Sequence, residues 1–118
     1  MPYLRRSPDP SVVMTTSVAG LRPVGSSIAY AMSKAALNHL TALLAKSCGP
    51  VRVNAVAPGL IDTPLSADLV EQRAAVAATA PLRRTGRPED CAEAVIGLLR
   101  NTYVTGHVVV VDGGSSLL

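Results

Sequence analysis

The sequence predicts an α/β fold, a parallel sheet of about three strands with flanking helices. Three observations predict it. Short β-branched runs stand at residues 11–16, 51–57 and 107–111, and each is the length of one strand. Segments with the 3.6-residue apolar period separate them. The 51–57 run is apolar except at Arg52 and Asn54, as expected of a strand in a sheet covered on both faces.

Taken in order, residues 1–10 read as the tail of a helix. Tyr3-Leu4-Arg5-Arg6 forms its last turn and Ser7-Pro8-Asp9-Pro10 its stop, because proline lacks the donor a helix needs. Residues 11–16 are the first strand. Ser26 or Ser27 caps the helix that follows, over 28–48. Its apolar stripe is Leu37, Leu40 and Leu44, with Ala36 and Leu43 alongside. Gly49-Pro50 ends it, Gly for the left-handed turn and Pro to block continuation. Residues 51–57 are the second strand. Residues 67–80 are Ala-rich and helical, with a weak apolar stripe. Pro88 suits the first turn of another helix, with Ala92, Val95, Ile96 and Leu99 at i, i+3, i+4 and i+7. Residues 107–111 are the last strand.

At 118 residues the chain is one domain's worth. Its 48% apolar and 16% charged content can form a core. With three Tyr and no Phe or Trp, that core must be aliphatic. The formal charge of +3 is modest, and its basic clusters, Arg5-Arg6 and Arg83-Arg84 with Arg87, have no aromatic interleaving. This argues against nucleic acid. Cys48 and Cys91 make no metal spacing and no disulfide framework, so two buried or half-buried thiols in a reducing compartment are expected. No metal role is expected for His39 or His107. The N-terminus has no secretory pattern and no apolar run approaches a membrane span, so the expected location is cytoplasmic, with no membrane partner.

The chemistry concentrates at Tyr30-Ala31-Met32-Ser33-Lys34. On a helix, i and i+4 side chains lie one above the other. A cation beside a phenol favours the phenolate, one route to a proton donor or acceptor near neutral pH. On spacing alone, a snorkelling surface pair is the commoner meaning. The surroundings shift the balance. Ser17 ends the first strand, just before Val18-Ala19-Gly20. Pro58-Gly59-Leu60-Ile61-Asp62-Thr63 follows the second strand. Gly86-Arg87-Pro88-Glu89-Asp90 and Asp112-Gly113-Gly114 come later. Ligands in parallel sheets gather beyond the carboxyl ends of the strands, where these motifs fall.

In this order, the motifs from about Ser11 to Gly114 resemble the C-terminal half of a classical short-chain dehydrogenase/reductase. The resemblance implies a partial Rossmann-like, doubly wound parallel sheet. Residues 1–118 would be the C-terminal part of one NAD(P)-binding oxidoreductase domain. It also implies that a small carbonyl or alcohol substrate is interconverted by hydride transfer with NAD or NADP. Tyr30 would be the general acid/base, Lys34 would tune it and hold the nucleotide ribose, and Ser17 would steady charge on the substrate oxygen. Pro58, Gly59, Ile61 and Thr63 would contact the cofactor, with Gly59 admitting the nicotinamide side because it lacks Cβ. Residues 64–85 match a mobile substrate lid, and Asp112-Gly113-Gly114 carries only a turn.

The family's N-terminal half has a Gly-rich turn, an Asn-Asn-Ala-Gly segment and a further catalytic Asn, none of which stands in residues 1–10. The expectation is therefore a chain whose N-terminal half of the fold is missing, with an open edge on its first strand. When complete it would be a homo-oligomer. The alternative is a truncated, non-catalytic remnant or interaction module that pairs through its long helix.

Overall fold

The computed structural model describes residues 2–118. Its strands are β1 (Ser11–Thr15), β2 (Arg52–Pro58) and β3 (Val108–Val111); its helices are α1 (Ile28–Ser47), α2 (Val70–Thr79) and α3 (Pro88–Arg100). The sheet is parallel throughout, in the order β1-β2-β3. Thr15 stands opposite Val56, and Pro58 opposite Val111, so the carboxyl ends of the three strands lie nearly level. Among the described residues β1 pairs only with β2, which leaves its other edge open, as expected. Residues 4–6 form a short exposed 3-10 turn rather than the end of an α-helix.

β2 is the core. Every residue from Arg52 to Ala57 is buried, and α1 and α3 both pack on it. Its two polar residues are buried for distinct reasons. The Arg52 guanidinium donates to the carbonyls of Leu98 at 2.9 Å, Leu99 at 2.9 Å and Asn101 at 2.6 Å, and pairs with Asp9 at 3.0 Å. It thus satisfies the orphan carbonyls at the end of α3, where the helix dipole also favours a cation. Asn54 pins the approach to β3. Its amide donates to the Val104 carbonyl at 2.8 Å and accepts from the His107 N–H at 3.1 Å.

Ser27 caps α1, accepting the Tyr30 N–H at 3.1 Å. The packed face of α1 differs from the expected stripe. Ala31, Lys34, Leu37, Asn38, Thr41 and Leu44 are turned inward, whereas Ala36, Leu40 and Leu43 are exposed. α3 departs in the same way. Leu98 is buried with Cys91, Ala94 and Val95 beside it, while Ala92, Ile96 and Leu99 are exposed. Both helices are apolar around much of their circumference, so periodicity alone does not fix which stripe faces the sheet. The thiols of Cys48 and Cys91 are half-buried and free, as expected.

Replacing Arg52 by Met strands the buried Leu98 carbonyl and the part-buried carbonyls of Leu99 and Asn101. It should cost about 2–4 kcal/mol, read as a lower urea midpoint.

Candidate active site

The end of β1 is clamped before Ser17 is reached. The Thr16 N–H and hydroxyl both donate to the Val56 carbonyl, at 2.8 and 3.1 Å. Ser17 is extended, and its hydroxyl oxygen accepts the Ala19 N–H at 3.2 Å, capping the 3-10 turn Val18–Gly20. That turn lies directly on α1. A Cβ at Gly20 would stand 2.5 Å from the Lys34 carbonyl carbon and 2.7 Å from the Ala35 nitrogen. Only glycine permits this approach, which sets the serine turn against the helix turn carrying Lys34.

From α1, the Lys34 ammonium donates to the Thr15 carbonyl at 3.2 Å and lies 5.6 Å from the centre of the Tyr30 ring. The second distance is within cation–π range. Tyr30 is 40% exposed. Ser17, Tyr30 and Lys34 are therefore gathered at the carboxyl end of β1.

Pro58, Gly59, Ile61 and Thr63 emerge at the end of the adjacent strand. Gly59 has a different reason from the expected one. A Cβ there would meet Asp112 Cβ at 2.6 Å, so the space the glycine leaves is filled by the chain's own β3 loop. The Gly59 N–H donates to the Val111 carbonyl at 2.9 Å.

Asp112 is a cap as well as a turn residue. It accepts from the Gly114 and Ser116 N–H groups, at 2.9 and 2.7 Å, and from the Ser115 hydroxyl at 3.2 Å. Burial works to raise its carboxyl, but the bonds from Ser116, Gly114 and Ser115 together hold it below its ordinary value of 3.8. Gly113 and Gly114 take φ of 63° and 84°, the left-handed region glycine favours.

The Leu60–Thr63 segment is pinned from two sides. The Gly86 N–H donates to the Leu60 carbonyl at 3.0 Å and the Asp62 N–H to the Gly86 carbonyl at 2.8 Å, which makes an isolated parallel bridge. Ser66 holds the other side: its hydroxyl donates to the Ile61 carbonyl at 2.6 Å and accepts the Thr63 N–H at 3.1 Å. Among the described residues the Ile61 N–H has no partner. The Arg73–Asp62 ion pair, at 2.6 Å, ties α2 back to the same segment.

A cleft of about 370 Å³ adjoins these elements, with Val18, Arg22, Val24, Gly59, Leu60 and Val76 of α2 in its walls. A larger one of about 560 Å³ lies between Arg84, Asp90, Glu93 and the Val110–Gly114 segment. None of Ser17, Tyr30 or Lys34 lines either cleft; the smaller adjoins the Ser17 turn through Val18 and the β2 exit through Gly59, and neither of these lines the larger. Beside it, the two-point hydrogen bond from Arg84 and the Arg87 N–H hold the Asp90 carboxyl well below the carboxylate range. Among the described residues no three His, Cys, Asp or Glu side chains gather as a metal site, and no helix is long and apolar enough to cross a membrane.

A family model described as "Enoyl-(Acyl carrier protein) reductase" matches residues 1–116. The chain belongs to the short-chain dehydrogenase/reductase family. It is 57% identical over 125 residues to a granaticin polyketide synthase putative ketoacyl reductase 2 of Streptomyces violaceoruber, covering 100% of this chain and 49% of the relative. It is 33% identical to the short-chain dehydrogenase/reductase homolog YusR of Bacillus subtilis, covering 99% of this chain and 92% of that one. A crystal structure of a small-chain dehydrogenase in complex with NADPH superposes with a TM-score of 0.88 at 30% identity, over 95% of this chain and 53% of that one. The chain thus spans about half the length of the granaticin relative.

Sequence reasoning missed Gly20, Ser66, Gly86 and the capping role of Asp112. Only Ser66 left a local signal, a hydroxyl residue three positions after Thr63.

Two outcomes follow from this geometry. Gly20→Ala forces the serine turn off α1. It should cost about 1–3 kcal/mol and shift the Ser17 amide resonance in an NMR spectrum. Asp112 is held below its ordinary value, so its contribution is present above that value and lost as pH falls through the folded one. The gap in melting midpoint between the wild type and Asp112→Asn should narrow as pH falls through 3.8 and below.

Proposed function

We propose that this chain carries the catalytic and nicotinamide-side half of an NAD(P)-dependent oxidoreductase that interconverts a carbonyl and an alcohol. The convergence of Ser17, Tyr30 and Lys34 at the end of β1 carries this reading. The residues present fit a dinucleotide. Lys34 uses one of its three donors on Thr15, which leaves two for ribose hydroxyls. The Pro58–Gly59 turn leads to the unpaired Ile61 N–H, and Thr63 adds a hydroxyl, at the end of the neighbouring strand. The cofactor, when bound, supplies or accepts the hydride.

The chain's own groups handle the proton and the charge. In the reductive direction the Tyr30 hydroxyl gives its proton to the substrate oxygen, and in the oxidative direction the phenolate takes it back. The Ser17 oxygen already accepts the Ala19 N–H, so its own proton is free to donate to the same substrate oxygen. The mainly apolar cleft beside Val18 and Leu60 suits a small carbonyl or alcohol substrate, and Val76 brings α2 over it as part of a lid. The NADPH-bound neighbour supports a nicotinamide cofactor, and two free thiols suit the cytoplasm.

A second reading rests on a separate observation. α1 exposes Ile28 at 82% and Met32 at 67%, with Leu40 and Leu43 on the same outward side. This surface supports pairing through α1, either in a homo-oligomeric enzyme or in a non-catalytic interaction module.

Tyr30→Phe separates the two. In the enzyme it should lower turnover by about 10²–10⁴, followed as NADPH or NADH oxidation with a carbonyl substrate. Stability should stay within about 0.5 kcal/mol, because the ring remains and Tyr30 is an exposed residue. Turnover near the wild-type level would remove Tyr30 as the acid. A thermal melt that neither NADH nor NADPH raises would favour the interaction module.

A further inference from the structure

We infer that Ser66 is a positioning residue for the cofactor, setting the Ile61–Thr63 turn so that the free Ile61 N–H and the Thr63 hydroxyl are presented in fixed directions. This rests on the dinucleotide reading above and extends it to a residue that would touch neither cofactor nor substrate.

Ser66 is 6% exposed. Its backbone N–H donates to the Thr63 carbonyl at 3.0 Å, which brings the hydroxyl back over the turn. A serine hydroxyl has one proton and two lone pairs. Here the proton goes to the Ile61 carbonyl at 2.6 Å and one lone pair takes the Thr63 N–H at 3.1 Å. One side chain thus fixes the peptides on both sides of Asp62. The Asp62 N–H and the Leu60 carbonyl are held independently by Gly86, where a Cβ would meet the Ile61 side chain at 2.4 Å. With those groups engaged, the Ile61 N–H is the backbone donor between Ile61 and Thr63 left for a ligand.

The two clamps also isolate the turn from the lid. Ile61 and Gly86 bridge at the neck of the excursion that contains α2. α2 can therefore shift while the turn keeps its shape. Ser66 lies just inside the neck and holds its near side, whereas the Arg73–Asp62 pair, with both side chains partly exposed, can break as α2 moves.

The experiment compares wild type, Ser66→Ala and Ser66→Thr by NADH and NADPH titration and by amide hydrogen exchange without cofactor. Ser66→Ala should weaken cofactor binding about tenfold, the loss of one buried hydrogen-bonded anchor. It should speed exchange at the Thr63 amide while leaving α1 amides protected, and Ser66→Thr should restore both. Ser66→Ala binding as tightly as wild type, with Thr63 exchange unchanged, overturns the inference. Faster exchange across the whole sheet also overturns it, because Ser66 would then serve the fold at large. A wild type that binds neither cofactor overturns the dinucleotide reading and this inference with it, whereas a binding wild type and an equally binding Ser66→Ala overturn this inference alone.

Discussion

Between Arg52 and Ala57, β2 has no exposed residue, and its two polar side chains are buried with the rest. The other elements hang on this strand. β1 pairs with it on one side and β3 on the other, while α1 and α3 lie against it. Its polar residues convert burial into alignment. Arg52 ties the end of α3 to the start of the strand, and Asn54 ties the approach to β3 to its middle. A buried charge left without partners costs several kcal/mol, so Arg52 allows few alternative docking arrangements for α3. The level of the three strand ends, and hence of the groups beyond them, is set at the opposite end of the sheet.

At the carboxyl ends the structure uses close backbone approach where the amino end uses polar anchors. Gly20 sets the Ser17 turn on α1, Gly59 sets the β2 exit on the Asp112 loop, and Gly86 sets Ile61 on the approach to α3. At Gly20 and Gly59 a Cβ would stand under 3.0 Å from backbone or Cβ atoms of a neighbour, so even alanine would push two segments apart, whereas at Gly86 it would meet only the Ile61 Cδ1 end. Such contacts add little energy of their own. Their effect is geometric: they fix the separation of the elements that carry Ser17, Tyr30 and Lys34 and of the segments beyond β2 and β3.

The local chemistry of the fold was legible in the sequence and the long-range packing was not. Ser27 as a cap and Pro88 in the first turn of α3 are read within a few residues of themselves, and both hold. Gly49-Pro50 does follow the end of α1, but Gly49 does not take the left-handed conformation expected of it, because the helix already stops at Cys48 with negative φ. Tyr30 and Lys34 were legible because a helix places i and i+4 together whatever else the chain does, and the lysine ammonium does lie over the phenol ring. The inward faces of α1 and α3 were misread because Leu40, Leu43, Ile96 and Leu99 match the helical period as well as the residues that pack. Gly20, Gly59 and Gly86 were opaque for another reason. The atoms that exclude a Cβ at Gly20 and Gly59 belong to other secondary elements, and at Gly86 to the far side of the lid excursion. Nothing in a glycine's neighbours along the chain records that.

The division between fixed and movable parts follows from the same contacts. The segment from Asp62 to Thr85 leaves the sheet after β2 and returns at Gly86, and the Ile61–Gly86 bridge closes its neck. Within it, α2 has no buried residue, and its tether to the neck is a partly exposed ion pair. Few buried contacts and one screened ion pair give low local stability, the property of elements that open and close. The neck is the opposite, with the Leu60, Ile61 and Thr63 carbonyls and the Asp62 and Thr63 amides held by Gly86 and Ser66. Motion of α2 over the cleft beside Ser17 therefore need not disturb the turn at Ile61, whose backbone groups hold their directions.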